Sequence, residues 1–138
     1  MNNSELIEIA IQARKNAYAP YSRFTVGAAL LAKNGEVYKG CNVENSSYGA
    51  TNCAERTAIF KAVSEGVREF EKIAVVGGME EDDVTKGFGF PCGICRQVMR
   101  EFCDPKKFKV VVAKSPDEYQ EFLLEDLLPY GFGPENIY

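Results

Sequence analysis

The 138-residue sequence contains no histidine. That removes the usual general base of serine and cysteine hydrolase triads and the commonest metal ligand, so any metal must be held by cysteine or carboxylate. Positive charge is also in short supply. Sixteen Lys and Arg stand against twenty Asp and Glu, a formal net charge of −4, which leaves no cationic surplus to displace counterions from a phosphate backbone. Nucleic acid is not an expected partner. The chain has no apolar run approaching the roughly 18 residues of a membrane span, so a membrane is not expected either. The opening Met-Asn-Asn-Ser-Glu lacks a basic leader and an apolar h-region, so the expected location is the cytoplasm.

What is present describes an ordinary globular unit: 46% apolar and 26% charged residues with 12 Gly and 6 Pro. The length fits one domain over 1–138 with one packed core. Five cysteines in a chain without an export signal point to metal binding or burial rather than to disulfides.

Apolar residues at Leu6, Ile9, Ala10, Ala13 and Ala17 repeat every three or four positions, which predicts a helix with Ser4 as its N-cap and Pro20 beyond its end. Phe24 to Ala32 is a nearly continuous apolar run, and Asn34-Gly35 separates it from Glu36, Val37 and Tyr38. This is a hairpin signal, with a type I′ turn expected. Residues 42–52 read as loop. Ala54, Ala58, Ile59, Ala62 and Val63 predict a second helix that stops near Gly66, and Ile94, Val98 and Phe102 predict a third after Pro91-Cys92-Gly93. Lys72 to Gly77 and Phe108 to Ala113 are β-branched and resemble buried central strands. Glu118 to Leu128 fits either a short edge strand with one helical turn or a single short helix. The order β-β-α-β-α-β implies an α/β fold, a mixed sheet covered by helices. Glu80, Glu81, Asp82 and Asp83 form an acidic run without the alternating spacing of a calcium loop, and read as a solvated segment.

Two short stretches carry the chemistry, Cys53-Ala54-Glu55-Arg56 and Pro91-Cys92-Gly93-Ile94-Cys95-Arg96, each at the start of a predicted helix. Free N–H groups and the positive end of the helix dipole favour thiolate there. Cys53, Cys92 and Cys95 can therefore supply three sulfur ligands to one Zn²⁺ per chain, with the fourth position left to water, which is the catalytic arrangement. Glu55, two residues after Cys53, is placed to move protons beside that water. Three thiolates over-neutralise a dication, and Arg56 could offset the excess by hydrogen bonding to sulfur. Other readings exist for the parts. Asn52-x-x-Glu55 has the form of a capping box, and Cys92-x-x-Cys95 has the spacing of a redox pair. Cys41 and Cys103 read as buried small apolar side chains.

Together these stretches resemble the zinc-dependent cytidine deaminases of the short three-cysteine type. The resemblance extends to Tyr21-Ser-x-Phe24-x-Val-Gly-Ala-Ala-Leu30, to Gly40-Cys-Asn42-Val-Glu44-Asn-x-x-Tyr48-Gly, and to Leu127-Leu-Pro129 with Phe132 beyond. It implies a three-layer α/β/α fold with a mixed, about five-stranded sheet. It further implies hydrolytic deamination of cytidine and 2′-deoxycytidine in pyrimidine salvage. By that likeness Phe24 packs on the pyrimidine, Asn42 and Glu44 hydrogen-bond the ribose hydroxyls, and the Ala54 N–H meets the base carbonyl. Glu55 protonates ring N3 while activated water attacks C4, and ammonia leaves. The resemblance also implies a homotetramer whose sites borrow residues across interfaces, with Tyr48 and Phe132 approaching a neighbour's substrate. Two departures stand out: a long segment from Glu80 to Phe90, and Phe90 where Ser is commoner before Pro91. Alternatives are a deaminase of a modified cytosine nucleoside such as blasticidin S, or a binding module whose structural zinc is closed by Cys41 or Cys103.

Overall fold

The structure is a computed structural model that describes residues 1–82 and 86–137. Asp83 of the acidic run lies outside the described residues. Helix α1 (Asn3–Arg14) is followed by strands β1 (Phe24–Ala32) and β2 (Val37–Cys41), helix α2 (Ala54–Ser64) and strand β3 (Phe70–Met79). Helix α3 (Gly93–Phe102), strands β4 (Lys109–Ser115) and β5 (Glu118–Leu123) and the single turn α4 (Leu124–Leu127) complete the order. The sheet has five strands in the order β2-β1-β3-β4-β5. It is mixed, as expected: β3 and β4 are parallel and the other pairs antiparallel. The ambiguous C-terminal stretch takes the first of its two readings, an edge strand and then a helical turn.

The period-2 alternation of strands divides the core between the two faces of the sheet. Leu30, Ile73, Val75, Val110 and Val112 pack with Ala58, Ile59, Cys95 and Met99 of α2 and α3. Their neighbours Leu31, Ala74, Val76 and Val111 face the other way, onto Leu6, Ile7 and Ala10 of α1. The result is the three-layer α/β/α arrangement. Each fully buried Val, Leu or Ile contributes about 1.5–3 kcal/mol relative to exposure.

Three local expectations need correction. Asn2, not Ser4, caps α1: its side chain accepts the Glu5 N–H at 2.9 Å while Glu5 accepts the Asn2 N–H. Ser4 instead donates to the Pro116 carbonyl, pinning α1 to the β4–β5 turn. The helix ends at Arg14 rather than reaching Ala17, because the amides of Lys15, Asn16 and Ala17 turn to carbonyls three residues back. At the hairpin tip only Gly35 has positive φ, +90°, whereas a type I′ turn needs two such residues. The Gly35 N–H bonds to the Ala32 carbonyl and the Ala32 N–H to Glu36, closing a three-residue loop with glycine at the left-handed position.

Topology gathers the functional stretches at one end of the sheet. The β3-α3-β4 crossover starts α3 at the carboxyl end of β3, where open α/β sheets place ligands. α2 precedes β3 and returns through a tight turn at Gly66, whose N–H bonds to Val63 while that of Val67 bonds to Ala62, the Schellman pattern. The start of α2 therefore lies near the end of β3. Pairing of Phe24 with Met79 and of Cys41 with Gly27 brings the start of β1 and the exit of β2 to the same end.

Candidate active site

Cys53 is the N-cap of α2, Cys92 the N-cap of α3, and Cys95 lies one turn into α3. Their three sulfurs lie within 4.8 Å of one another, and Cys53 Sγ and Cys92 Sγ are 3.8 Å apart. A tetrahedral centre with zinc–sulfur bonds of about 2.3 Å separates its sulfurs by about 3.8 Å, so this pair stands at the spacing the metal requires and Cys95 lies within about an ångström of it. Soft thiolates suit zinc rather than a hard cation. Arg56 Nη2 donates to Cys53 Sγ at 3.2 Å, the contact expected of it. Cys41 and Cys103 do not join the group among the described residues. Cys103 ends α3, about 16 Å along the helix from Cys92. A four-cysteine structural site is thereby contradicted. Burial raises the pKa of both outlying thiols, that of Cys103 to about 12.

The electrostatics favour a thiolate at Cys53. The Cys53 thiol is pulled down to about 5, chiefly by the hydrogen bond with Cys95, against the effect of burial and with help from Arg56 and Cys92. Cys95 is pushed up because it is the donor of that bond, and because it is buried. Burial alone would lower Arg56, but its bonds to the two sulfurs outweigh that and hold it above its ordinary value. The Arg56 Nε–H is buried without a partner among the described residues.

Glu55 is 4% exposed. Burial lifts its carboxyl to about 7; the Cys53 charge adds to the lift, while its own backbone amide and Arg56 oppose it. The capping-box reading of this residue fails. The N-cap of α2 makes no side-chain capping bond, and the Asn52 amide is turned to Thr57 Oγ1 at 3.1 Å. The Glu55 carboxyl therefore does not serve a capping box; it faces its own amide and Cys95.

A cavity of about 180 Å³ opens beside the sulfurs, lined by Phe24, Val26, Asn42, Ala54 and Glu55 with Phe90, Cys53 and Cys92. Thr51 joins it to a hollow of about 360 Å³ containing Glu44, Tyr48, Tyr21 and Ser22. The structure thus brings together the expected base-facing residues, with Glu44 and Tyr48 next door. Asn42 lines the cavity and braces its scaffold: its Oδ1 accepts the Val26 N–H and its Nδ2 donates to the Phe24 carbonyl, both at 2.8 Å, which leaves one N–H and one lone pair of the amide. Phe132 lines neither space; its carbonyl is held by Gln97 Nε2 at 2.9 Å, and its ring is exposed.

Two residues named in the sequence, Arg96 and Phe90, have roles that were not assigned there. Arg96 ties the Pro91 carbonyl to that of Leu127, at 2.7 and 2.8 Å, fixing the segment that leads into α3. Its position directly after Cys95 was the available signal. Phe90 forms part of the cavity wall and packs on Phe122 with ring centroids 5.5 Å apart. That contact pairs a loop with an edge strand and has no local signature.

A family profile described as the cytidine and deoxycytidylate deaminase zinc-binding region matches residues 1–113. The chain belongs to that family. It is 53% identical to the cytidine deaminase of Halalkalibacterium halodurans, over 99% of this chain and 98% of the relative. Identity to the cytidine deaminase of Sporosarcina psychrophila is 48%, over 99% and 96%. Among solved structures, the cytidine deaminase from Burkholderia pseudomallei superposes with a TM-score of 0.86 at 50% identity, covering 96% of this chain and all of that one. The enzyme from Mycobacterium tuberculosis gives 0.78 at 39% identity, over 96% and 98%. The fold of these relatives is the three-layer arrangement described above.

Proposed function

We propose that this chain is a zinc-dependent cytidine deaminase that converts cytidine and 2′-deoxycytidine to the uridines with release of ammonia. The observation that carries the reading is the placement of a buried carboxyl, Glu55, on the wall of the cavity that ends at the cysteine trio. Cys53, Cys92 and Cys95 would hold the metal, which when bound supplies Lewis-acid activation of water at neutral pH. Glu55, with its carboxyl near 7, can hold a proton and give it up at the pH of the cell. It is suited to take a proton from water, protonate ring N3 of cytosine, and assist loss of the amino group. Such help is worth about 10²–10⁴-fold. Arg56 and two helix N-termini balance part of the thiolate charge.

The Ala54 N–H, in the first turn of α2, has no intrahelical partner and would meet the base carbonyl. Phe24 packs on the pyrimidine, while Glu44 accepts from the sugar and Asn42, held by Val26 and Phe24, offers its remaining amide positions to the ribose hydroxyls. The names of the relatives support an ordinary nucleoside over one such as blasticidin S. Among the described residues no helix is long and apolar enough to cross a membrane. A role in pyrimidine salvage in the cytoplasm fits the small-nucleoside substrate. One catalytic domain over 1–138 accounts for the match along the chain.

We also propose the homotetramer. Tyr21, Tyr48, Phe90, Ile94 and Phe132 are large side chains between 46% and 78% exposed in the single chain, apolar surface that neighbouring subunits would cover. Tyr48 and Phe132 would approach a neighbour's substrate.

The direct test is incubation of the purified protein with each nucleoside. Ammonia equal to the uridine formed is expected, with loss on chelation and recovery on added zinc. No ammonia from either nucleoside would refute the function.

A further inference from the structure

We infer that Ser22 is a positioning residue for sugar recognition, its hydroxyl locking the Glu44 carboxylate and the start of β1 into one unit. The inference rests on the sugar role proposed for Glu44. Ser22 Oγ donates to Glu44 Oε2 at 2.5 Å and accepts the Phe24 N–H at 3.0 Å. The other carboxylate oxygen, Oε1, accepts the N–H groups of Tyr21 and Ser22 at 3.0 and 3.1 Å. One hydroxyl therefore joins the residue that reads the sugar to the backbone of the residue that packs on the base.

The chain shape around Ser22 serves this contact. Arg23 has φ of +59°, a left-handed conformation uncommon outside glycine. The turn is closed on both sides: the Arg23 N–H bonds to Ala19 and its carbonyl accepts from Glu80, at 3.0 and 2.7 Å. Strain of this kind persists where surrounding contacts over-determine it, commonly at ligand sites.

A carboxylate offers about four acceptor positions. Three are taken by Tyr21 and Ser22, which leaves one, on Oε2, for a substrate hydroxyl. Ser22 decides where that last position points. Without its hydroxyl, Glu44 keeps both N–H contacts on Oε1 but is free to swing about that oxygen. The same hydrogen bond is the main influence holding the Glu44 carboxyl below its ordinary value, keeping it an acceptor. A hydrogen bond to a charged group that water screens is worth up to about ten-fold in affinity.

The test compares wild type, Ser22→Ala and Ser22→Thr on cytidine and on 2′,3′-dideoxycytidine, which lacks the sugar hydroxyls Glu44 would read. For Ser22→Ala, KM for cytidine is expected to rise about ten-fold, with kcat changing less than about three-fold. The penalty should shrink below about three-fold on the dideoxynucleoside, and Ser22→Thr should restore most of the cytidine KM. An equal penalty on both nucleosides, or a fall confined to kcat, would overturn the proposal in favour of general damage to the site. No change on either would also overturn it. Equal KM values for the two nucleosides in wild type would instead refute the sugar role of Glu44. Absence of turnover by wild type would refute the deaminase function; either result removes the basis for Ser22.

Discussion

Glu44 sits at the end of the site proposed for the sugar, with its carboxyl held below the usual carboxylate range, first by the Ser22 hydroxyl and then by the Ser22 and Tyr21 amides, against some desolvation. A lowered acid pKa means that the charged form survives to lower pH. KM for cytidine should therefore stay flat from neutral pH down past the ordinary value of 4.5 and rise only below it. In Ser22→Ala the rise should begin at higher pH; a coincident acid limb in both proteins would separate Ser22 from Glu44. Arg56 acts at the other end of the cavity, through its 3.2 Å contact with Cys53. Replacing it with Ala leaves the thiolate charge unbalanced, and the acid limb of the activity profile should shift to higher pH, with zinc bound about 10–100-fold more weakly. An unchanged profile and unchanged zinc affinity would deny Arg56 this role. Some of this was readable in advance because Cys53, Glu55 and Arg56 are neighbours on one helix start. Choosing between a capping and a catalytic Glu55 was not, since it depended on the Asn52 amide turning to Thr57. Ser22 was invisible for a similar reason: its partner Glu44 is 22 residues away.

Among the elements, α2 carries Cys53 and Glu55, and its distance from the sheet is set by one residue. A Cβ on Gly40 would fall 2.3 Å from the Ala54 carbonyl oxygen and 2.5 Å from the Ala58 nitrogen, backbone atoms that cannot yield without moving the helix. Gly27 is its counterpart beneath α1, where a Cβ would meet the Ala10 carbonyl oxygen at 2.0 Å. Alanine at either position should destabilise the fold by about 1–3 kcal/mol or more. Zinc affinity and turnover of the folded fraction should fall only for Gly40→Ala, because α1 lies on the opposite face from the cysteines. Thermal melts with metal analysis would check this; equal zinc loss in both would deny the separation. The helical stripes and the β-branched runs were legible because each pattern is local. The cap of α1 and the hairpin turn were misread. Asn2 outcompeted Ser4 once Glu5 could return the bond, and Asn34 did not adopt the positive φ that Asn-Gly permits.

For the whole molecule, the sheet topology explains why residues far apart in sequence reach one cavity; the alternation of β-branched runs with helical stripes made the element order and the mixed sheet legible, but not the strand order β2-β1-β3-β4-β5. The assembly is not written in those patterns. Exposed rings at Tyr48 and Phe132 are consistent with faces that neighbours cover, and in a tetramer the site would be completed across an interface. Sedimentation and activity measured across a dilution series should fall together as tetramers dissociate, and a fully active monomer would contradict the shared site. The central claim, a trio of thiolates beside an acid that moves protons, is tested most directly by Glu55→Gln. Zinc per chain and cytidine turnover should be measured side by side with wild type. The expected result is about one zinc per chain in both proteins, with turnover lost by at least about 10²-fold in the variant alone. Retained turnover in a zinc-loaded Glu55→Gln protein would contradict it.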